Sequence, residues 1–449
     1  MNPLERGPKP LVKAGATGRV PAVPGTYWIE SLGCPKNQVD SDKVAGTLMA
    51  DGLRPAAGPA QADLVVVNTC AFIEAARQES VETVLELEGV RRAGSRLVVT
   101  GCMAERYGDE LAAALPEVDL VAGFGVPLTG LTGPGAVPVA LGAKPPRLDL
   151  LNLPRPRAEA PWAYLKVAEG CDRACGFCAI PSFRGKQRSR TPASILAEAE
   201  ALKVKEVVLV AQDLASYGRD LGRPGAIVSL VREVAARVER VRLLYLYPSE
   251  LTGGLIDVIC GTGVPYFDLS LQHVSRPLLR AMKRWGEGER FLERIGSIRT
   301  RQPDAAFRSS FIVGYPGETE ADHDRLLAFL GEAQLDWAGF FAFSCEEGTH
   351  ASTLGGRVEE GLLAERLREL SEVQDGITAS RRTALVGSTA QVLVDGPGVA
   401  RSHREAPEID GVVLVPDDIP PGEVVTVEIT GAIGPDLEAV PVAVATAAP

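Results

Sequence analysis

The sequence lacks any apolar run of eighteen or more residues, so it predicts no membrane-spanning helix. Basic residues are in deficit, since 47 Lys and Arg stand against 58 Asp and Glu and give a formal net charge of −11. This balance argues against a protein whose whole surface binds nucleic acid, although it leaves room for a local basic groove. Eight cysteines in 449 residues are too few and too scattered for the disulfide framework of a secreted protein. We therefore expect a cytoplasmic protein.

The chain is long enough for about three domains. Its first 25 residues contain five prolines and four glycines but no apolar core of signal-peptide length, which predicts a disordered leader over 1–25. Residues 126–160 are rich in Pro and Gly and have no helical or strand period, so they predict a surface linker. The predicted domains are therefore 26–125, 161–380 and 384–449.

Three cysteines, Cys171, Cys175 and Cys178, lie within eight residues. They come shortly after the strand-like run 162–167. A tetrahedral zinc site would need a fourth Cys or His nearby, and the first His downstream is His273. Thiolates also hold iron–sulfur clusters, and a cubane on three cysteines leaves one iron open to a small chelating ligand. The sequence thus favours a reactive iron–sulfur cluster, with zinc or a redox pair as the alternative.

This Cys-x3-Cys-x2-Cys loop, with the aromatic Phe177 directly before its last cysteine, resembles that of the radical S-adenosylmethionine (SAM) enzymes. The resemblance implies that SAM chelates the open iron through its methionine amine and carboxylate. It also implies that electron transfer cleaves SAM to a 5′-deoxyadenosyl radical, which abstracts an unactivated hydrogen. Cys171, Cys175 and Cys178 are then the ligands of the catalytic cluster. The motif does not identify the substrate.

Three more cysteines, Cys34, Cys70 and Cys102, each end an apolar strand-like run. Helical stretches at 41–50 and 74–90 separate these runs, an alternation that predicts a parallel α/β sheet. Ligands of such sheets gather at the carboxyl ends of the strands. We therefore expect the three thiols to converge in one crevice, and the alternative is that they are three small buried residues.

The segments 30–42 and 68–80 around these cysteines resemble the amino-terminal domain of the methylthiotransferases, in which three cysteines hold a second cluster. The resemblance implies two 4Fe-4S clusters and SAM as cofactors. Members that act on transfer RNA typically have Gly-Cys-Gln-Met-Asn where this chain has Gly33-Cys-Pro-Lys-Asn37. The present form is similar to the RimO branch, which methylthiolates an aspartate of a small-subunit ribosomal protein, number twelve of that subunit.

Strand and helix alternate again after the cluster loop. Strand candidates lie at 162–167, 206–211, 242–247, 266–271, 306–313 and 337–343. Six such strands suit the partial (β/α)6 barrel of the radical SAM superfamily, whose active groups lie at the carboxyl ends of the strands. Through the resemblance, the residues near those ends are expected to bind SAM and line the substrate cavity: Gln212, Asp213, Gln272, His273, Arg308 and Gly314.

For the five side-chain candidates among these residues, an ordinary, satisfied polar group at a strand end is an equally good interpretation. Gly314 instead predicts a loop that lets backbone approach SAM. Cys260 and Cys345 lie outside both triplets and are expected to be structural.

From Ala384 onward, short β runs at 390–394, 411–415 and 423–429 alternate with Gly, Pro and Asp turns. They resemble the small OB-like TRAM barrel that ends methylthiotransferases. This region contains ten acidic residues against two arginines and no lysine, a formal charge of −8. A barrel that binds phosphates should be basic, so the charge predicts a basic protein partner, and a solvated acidic face without a partner is the alternative. Glu405, Glu408 and Asp410 are expected to face that partner.

The leading hypothesis is a multidomain α/β enzyme that inserts sulfur at the β-carbon of an aspartate and methylates that sulfur, with two SAM molecules per turnover. A basic small-subunit ribosomal protein, met free or on the ribosome, is the implied substrate. A low-potential electron donor such as flavodoxin or ferredoxin is the implied reductant, and a monomer without membrane contact is expected. The same chemistry on a transfer-RNA adenosine is the first alternative. A noncatalytic iron–sulfur module that binds ribosomes is the second.

Overall fold

The computed structural model describes residues 25–129 and 147–442. Within these ranges no helix has the length and apolar character needed to cross a bilayer. Residues 1–24 of the predicted leader, residues 130–146 of the predicted linker and the last seven residues of the predicted third domain lie outside the described residues.

The amino-terminal domain is a parallel sheet with strand order β2-β1-β3-β4-β5, as the alternation of strand and helix predicts. Its elements are β1 (Thr26–Ser31), α1 (Pro35–Ala50), β2 (Arg54–Pro55), β3 (Leu64–Thr69), α2 (Glu74–Val90), β4 (Arg96–Gly101), α3 (Cys102–Ala114) and β5 (Leu120–Val121). The central strands β3 and β4 are buried along almost their whole length, which explains their continuous Val and Leu runs.

Helix α1 begins at Pro35, six residues before the predicted start. The φ angle of proline suits the first helical position, where its missing N–H costs no hydrogen bond. The helix therefore follows Cys34 directly, and the sequence prediction placed its start too late.

The second domain is the predicted six-stranded parallel partial barrel. The strands β10-β9-β6 and β11-β12-β13 form two parallel sheets, which a parallel bridge between Leu246 and Leu269 joins. Its six barrel strands are β6 (Trp162–Lys166), β9 (Glu206–Val210), β10 (Arg240–Leu243), β11 (Tyr266–Gln272), β12 (Ala306–Val313) and β13 (Trp337–Ala342). The short strands β7 (Ala168–Glu169) and β8 (Arg188–Ser189) form a separate antiparallel pair. Its helices are α4 (Ile180–Arg184), α5 (Pro192–Leu202), α6 (Ala226–Ala235), α7 (Gly253–Cys260), α8 (Arg276–Ala281), α9 (Gly288–Arg301), α10 (Glu320–Ala333) and α11 (Glu360–Thr383).

Strand β10 differs most from the sequence prediction, since it starts at Arg240 and ends at Leu243 rather than covering 242–247. Tyr245 has a positive φ of 64°, which lies outside the extended region of a regular strand. The apolar run 243–247 thus continues past the strand into a turn.

The third domain is a closed five-stranded barrel in the order β14-β15-β16-β18-β17, which confirms the predicted small all-β barrel. Its strands are β14 (Thr389–Gly396), β15 (Val399–Arg401), β16 (Val413–Leu414), β17 (Val424–Ile433) and β18 (Asp436–Pro441). Sequence patterning missed β15, which has three residues, and β18, which follows β17 through a two-residue turn at Gly434 and Pro435.

The segment 402–410 of this barrel closes the amino-terminal end of the partial barrel. Ala406 is buried among inward-facing residues of the barrel strands. The Tyr164 hydroxyl donates to the Pro407 carbonyl at 3.1 Å, and the Trp337 indole N–H donates to the Arg404 carbonyl at 2.7 Å. This end of the barrel is therefore filled with protein.

Two of the three carboxylates expected to face a partner lie inside this contact, which corrects that expectation. Glu405 is fully buried and pairs with Arg382. The Asp410 side chain is 2% exposed and lies 3.3 Å from Arg308. Glu408 is exposed, as are five further acidic residues of the terminal barrel: Asp417, Asp418, Glu423, Glu428 and Glu438. The outer face is thus acidic, but the carboxylates at 405 and 410 hold the domains together.

The described part of the predicted linker packs on the amino-terminal domain more closely than a surface linker would. Leu128 joins the core beneath the sheet, and Leu151 is 2% exposed. The buried Lys43 of α1 donates to the Leu153 carbonyl at 2.6 Å.

Candidate functional site

The first cysteine triplet lies at the carboxyl ends of β1, β3 and β4. Cys34 is the N-cap of α1, Cys102 is the first residue of α3, and Cys70 follows β3. Gly33 has φ +91°, and a Cβ at this position would lie 2.7 Å from the Cys70 Cβ. Only glycine allows the two strand ends to approach so closely, and the three thiols therefore face a common crevice.

Positive charge acts on this triplet. Burial raises the pKa of Cys70 to about 12 and raises that of Cys102. Burial also opposes ionisation of Cys34, but Lys36 and Arg184 outweigh it and lower the pKa of that thiol. The amino termini of α1 and α3 add a favourable dipole for thiolates at Cys34 and Cys102. These groups favour the thiolate, which is the form that binds metal.

The second triplet lies on the loop between β7 and α4. The Cys171 N–H donates to the Gly185 carbonyl at 3.0 Å, and the Gly176 N–H donates to the Met282 carbonyl at 2.8 Å. Both sides of the loop are therefore tied to the barrel. Burial raises the pKa of Cys171 to about 11 and that of Cys178 to about 12, so deprotonation of these thiols would accompany metal binding.

The geometry of both triplets does not suit a single metal ion. Within residues 25–129 and 147–442, no three His, Cys, Asp or Glu side chains are placed to hold one metal ion. Thiolates around one tetrahedral zinc would lie roughly 3.8 Å apart, since Zn–S bonds are about 2.3 Å long. Cysteines of an iron–sulfur cluster ligate different irons and stand farther apart. The zinc alternative for the cysteines therefore finds no support in the geometry.

Gln212 and Asp213 follow β9 and offer acceptors to a ligand. The Gln212 side-chain NH2 donates to Glu169 at 2.8 Å, while its Oε1 is buried without a partner among the described residues. Asp213 Oδ2 accepts from Arg173 at 2.6 Å, and its Oδ1 is likewise buried and unpartnered in that part of the chain. Two orphaned acceptors suit a ligand with ammonium and hydroxyl donors, and SAM carries both.

Gln272, His273 and Gly314 also lie near the carboxyl ends of strands, but they differ in burial and in their hydrogen-bond partners. Gln272 ends β11 with a positive φ of 73° and is half-buried. His273 is fully buried, its Nδ1 accepts the Ser275 N–H at 3.0 Å, and burial lowers its pKa to about 4. Gly314 has φ +79° and donates its N–H to Glu318 at 2.7 Å. The His273 Nε2 also lies 3.9 Å from Glu318, so His273 and Gly314 both contact this glutamate in the loop after β12.

Arg308 lies elsewhere. It is the third residue of β12, near the amino-terminal end, and pairs with Asp268 at 3.2 Å and with Asp410 at 3.3 Å. Through these pairs its guanidinium forms part of the contact with the terminal barrel. Its expected place at a carboxyl strand end is therefore wrong, since the strand continues for five residues beyond Arg308 and ends at Val313.

Arg184 connects the two triplets and was missed by the sequence analysis. Its Nη2 donates to Asn37 Oδ1 at 2.6 Å and to Cys102 Sγ at 3.1 Å. Its Nη1 donates to Asp40 at 2.8 Å and to Glu169 at 3.0 Å. Arg184 follows Cys178 by six residues, so one arginine links the loop of one triplet to a thiol of the other.

A second bridge between the domains was also missed. Arg77 of α2 and Arg106 of α3 both donate to Glu346 at 2.6 Å, and Arg106 also donates to the Ala71 carbonyl at 3.0 Å. Glu346 follows β13, so the bridge spans the mouth of the partial barrel. Cys260 is half-buried at the end of α7, whereas Cys345 is exposed.

Comparisons with known proteins agree with this architecture. A family model described as uncharacterized protein family UPF0004 matches residues 26–123, the radical SAM superfamily matches 165–330, and the TRAM domain matches 386–442. A solved structure of TsrM from Kitasatospora setae, a radical SAM methyltransferase with cobalamin and an iron–sulfur cluster bound, superposes with a TM-score of 0.51 at 16% identity. It covers 71% of this chain and 75% of that chain, and this likeness concerns the fold alone.

Curated relatives share far more sequence. The ribosomal protein uS12 methylthiotransferase RimO of Streptomyces coelicolor is 40% identical over 475 residues, covering 93% of this chain and 96% of the relative. The RimO of Moorella thermoacetica is 44% identical over 415 residues, covering 89% of this chain and 95% of the relative. With all three domains present and this identity over nearly the whole length, the chain belongs to the RimO family of radical SAM methylthiotransferases.

Proposed function

We propose that this protein methylthiolates the β-carbon of an aspartate in ribosomal protein uS12, using two 4Fe-4S clusters and two SAM molecules per turnover. The observation that carries the proposal is the placement of the two cysteine triplets in adjoining domains, with Arg184 hydrogen-bonded to Glu169 of one domain and to Cys102 of the other. One triplet suits the radical step and the other suits the sulfur transfer. Two separate sites are what two half-reactions require.

Cys171, Cys175 and Cys178 would hold the cluster that donates an electron to SAM, and Cys34, Cys70 and Cys102 would hold the cluster that supplies sulfur. Gln212 and Asp213 would accept hydrogen bonds from SAM through their unpartnered oxygens. Gln272 would lie along the same pocket, and Gly314 and His273 would shape the loop beside it. Arg308 is left out of this set because it pairs with Asp268 and Asp410.

We also infer a low-potential electron donor, such as flavodoxin or ferredoxin, since reductive cleavage of SAM consumes one electron. A monomeric enzyme in the cytoplasm, where ribosomal proteins are found, completes the proposal. Transfer-RNA modification is the weaker candidate, because six acidic side chains are exposed on the terminal barrel and would repel phosphate.

The decisive experiment separates the half-reactions. We expect the variant with Cys34, Cys70 and Cys102 changed to Ala to cleave SAM reductively but to form no methylthio product on uS12. Cleavage is followed as 5′-deoxyadenosine after anaerobic reconstitution, and the product is followed by mass spectrometry of uS12. Cys260→Ala is the matched control, because Cys260 lies outside both triplets, and it should retain both reactions. A wild-type yield of product from the triple variant without added sulfide would contradict the proposal.

A further inference from the structure

Lys36 is the second residue of α1 and lies at the boundary between the first two domains. Its ammonium lies 3.3 Å from the centroid of the Tyr245 ring, which belongs to the partial barrel. The buried lysines Lys43 and Lys166 each pair with a carboxylate. Among the described residues Lys36 pairs with no carboxylate; it lies over the aromatic ring, and its charge acts on the Cys34 thiol. A half-buried ammonium without a carboxylate partner is an unusual arrangement, since buried charges are normally paired.

Tyr245 is held in a strained conformation beneath this lysine. Its φ of 64° is rare for a residue other than glycine, and such a conformation costs about 1–3 kcal/mol. The Tyr245 N–H donates to Asp268 at 2.9 Å, and Asp268 is held in turn by Arg308 at 3.2 Å. Strain that the surrounding structure maintains is typical of ligand-binding positions. The ring therefore supports one side of the ammonium.

The surroundings favour a carboxylate as that ligand. Lys36 is two residues from Cys34 and close enough for its charge to act on that thiol, and Arg184 adds a second positive charge to the same crevice. An anion that enters between the triplets would meet a cation on an apolar support, where a charge-assisted hydrogen bond is strong. A carboxylate bound here would place the carbon next to it beside the sulfur-supplying triplet.

We propose that Lys36 binds the side-chain carboxylate of the target aspartate and so holds its β-carbon between the two cysteine triplets. This inference rests on the proposed function, because it takes the target to be an aspartate. It makes Lys36 a residue that determines specificity for an acidic side chain over its neutral amide.

The test compares Lys36→Met with the wild type on two substrates, uS12 and uS12 in which the modified aspartate is changed to Asn. Met retains an unbranched side chain of similar length but has no charge. We expect the wild type to prefer the Asp form and the variant to lose about 10- to 100-fold in kcat/KM on it, the range that a hydrogen bond to a charged group supplies. The preference for Asp over Asn should vanish in the variant, and Lys36→Arg should restore part of it.

Binding of both uS12 forms is measured alongside turnover by calorimetry under anaerobic conditions, since it does not depend on chemistry. Iron content and 5′-deoxyadenosine formation without uS12 are measured for each variant, and the preference for Asp over Asn is compared between proteins of equal iron content. Lys203→Met, at an exposed lysine beyond α5, is the control and should change none of these quantities.

The outcomes separate the two proposals. If the wild type modifies uS12 and Lys36→Met keeps the full preference for Asp, the role of Lys36 is refuted while the function stands. A change in the absorption spectrum of the clusters with that preference intact would likewise refute it, because Lys36 would then act on the cluster alone. If the wild type neither binds the Asp form more tightly nor modifies it, both proposals fall.

Discussion

The two ends of the partial barrel differ in whether their buried acceptor oxygens have hydrogen-bond partners. At the amino-terminal end, Glu206 is fully buried and receives bonds from Arg240 at 3.0 Å and Arg242 at 2.8 Å, with Arg401 of the terminal barrel at 3.4 Å. At the carboxyl-terminal end, Gln212 and Asp213 each keep a buried oxygen without a partner among the described residues. The fully hydrogen-bonded carboxylate of Glu206 holds two domains together. The acceptor oxygens of Gln212 and Asp213, together with the thiols, are suited to bind a ligand.

Backbone strain does not follow the same division. Tyr245 and Gln272, with φ angles of 64° and 73°, both lie at or just beyond the carboxyl ends of barrel strands. Glu408, with a φ of 63°, lies in the segment 402–410 that docks on the amino-terminal end. Strained residues therefore occur at both ends, and at the carboxyl-terminal end they lie where SAM and the substrate are expected to bind.

The largest effect should come from the carboxyl-terminal end. Changing Cys171, Cys175 and Cys178 to Ala should abolish 5′-deoxyadenosine formation, because no thiolate remains to hold the cluster beside Gln212 and Asp213. About four irons per chain should remain, those of the other cluster. Iron analysis and chromatography of the cleavage products measure both quantities. Cleavage at the wild-type rate would refute the assignment of this triplet.

At the opposite end, Glu206→Gln should destabilise the protein without changing its chemistry. Removing one partner from a buried ion network costs about 3–5 kcal/mol, because Arg240, Arg242 and Arg401 then lack a counter-charge. Denaturant unfolding measures the loss of stability, and the rate of SAM cleavage per folded molecule should stay unchanged. A variant as stable as the wild type would show that the network contributes nothing.

The difference in unfolding free energy between the wild type and Glu206→Gln should decrease as the pH falls. Burial opposes ionisation of Glu206, but the guanidinium groups of Arg242, Arg401 and Arg240 outweigh it and lower its pKa below the ordinary carboxyl value. Its contribution is therefore complete above about pH 4.5 and shrinks as acid protonates the unfolded and then the folded carboxyl. The gap between wild type and Glu206→Gln should accordingly narrow below that pH. A gap that widens in acid would contradict this sign.

A smaller effect is expected at the bridge across the mouth of the barrel. Glu346→Gln weakens the bonds to Arg77 and Arg106, a loss of about 1–3 kcal/mol, and so loosens the contact between the amino-terminal domain and the barrel. SAM cleavage should persist, while the yield of methylthio product per SAM cleaved falls several-fold. The exposed neighbour Glu347 provides the control, and Glu347→Gln should keep the ratio of product to cleavage.

The smallest effect concerns the exposed acidic face of the terminal barrel. Changing Asp417, Asp418 and Glu423 to Lys should slow association with basic uS12 a few-fold, and the difference should shrink at high salt, because screening weakens exposed charges. SAM cleavage should be unaffected. Association kinetics at two salt concentrations test this effect. A parent protein that binds transfer RNA more tightly than uS12 would favour the transfer-RNA alternative.

Residue spacing by itself determined both cysteine triplets, the alternation of strand and helix, and most strand positions of the partial barrel. These features are local, since periodicity and short spacings are written in consecutive residues. Helix α2 was placed correctly at 74–90, and β12 at 306–313. The strands β15 and β18 were not predicted. The first is too short to show an alternating pattern, and the second lies too close to its neighbour to be recognised as a separate strand.

Tertiary structure alone decided which charged residues serve the site. Arg184 reaches Asn37 across 147 positions of sequence, and Arg106 reaches Glu346 across 240, distances over which spacing carries no information. Burial likewise separated Glu405, which pairs with Arg382, from the exposed Glu408 three positions later. A charge is equally visible in the sequence in both cases, but only the packing of the three domains decides whether it meets a counter-ion, a ligand or water.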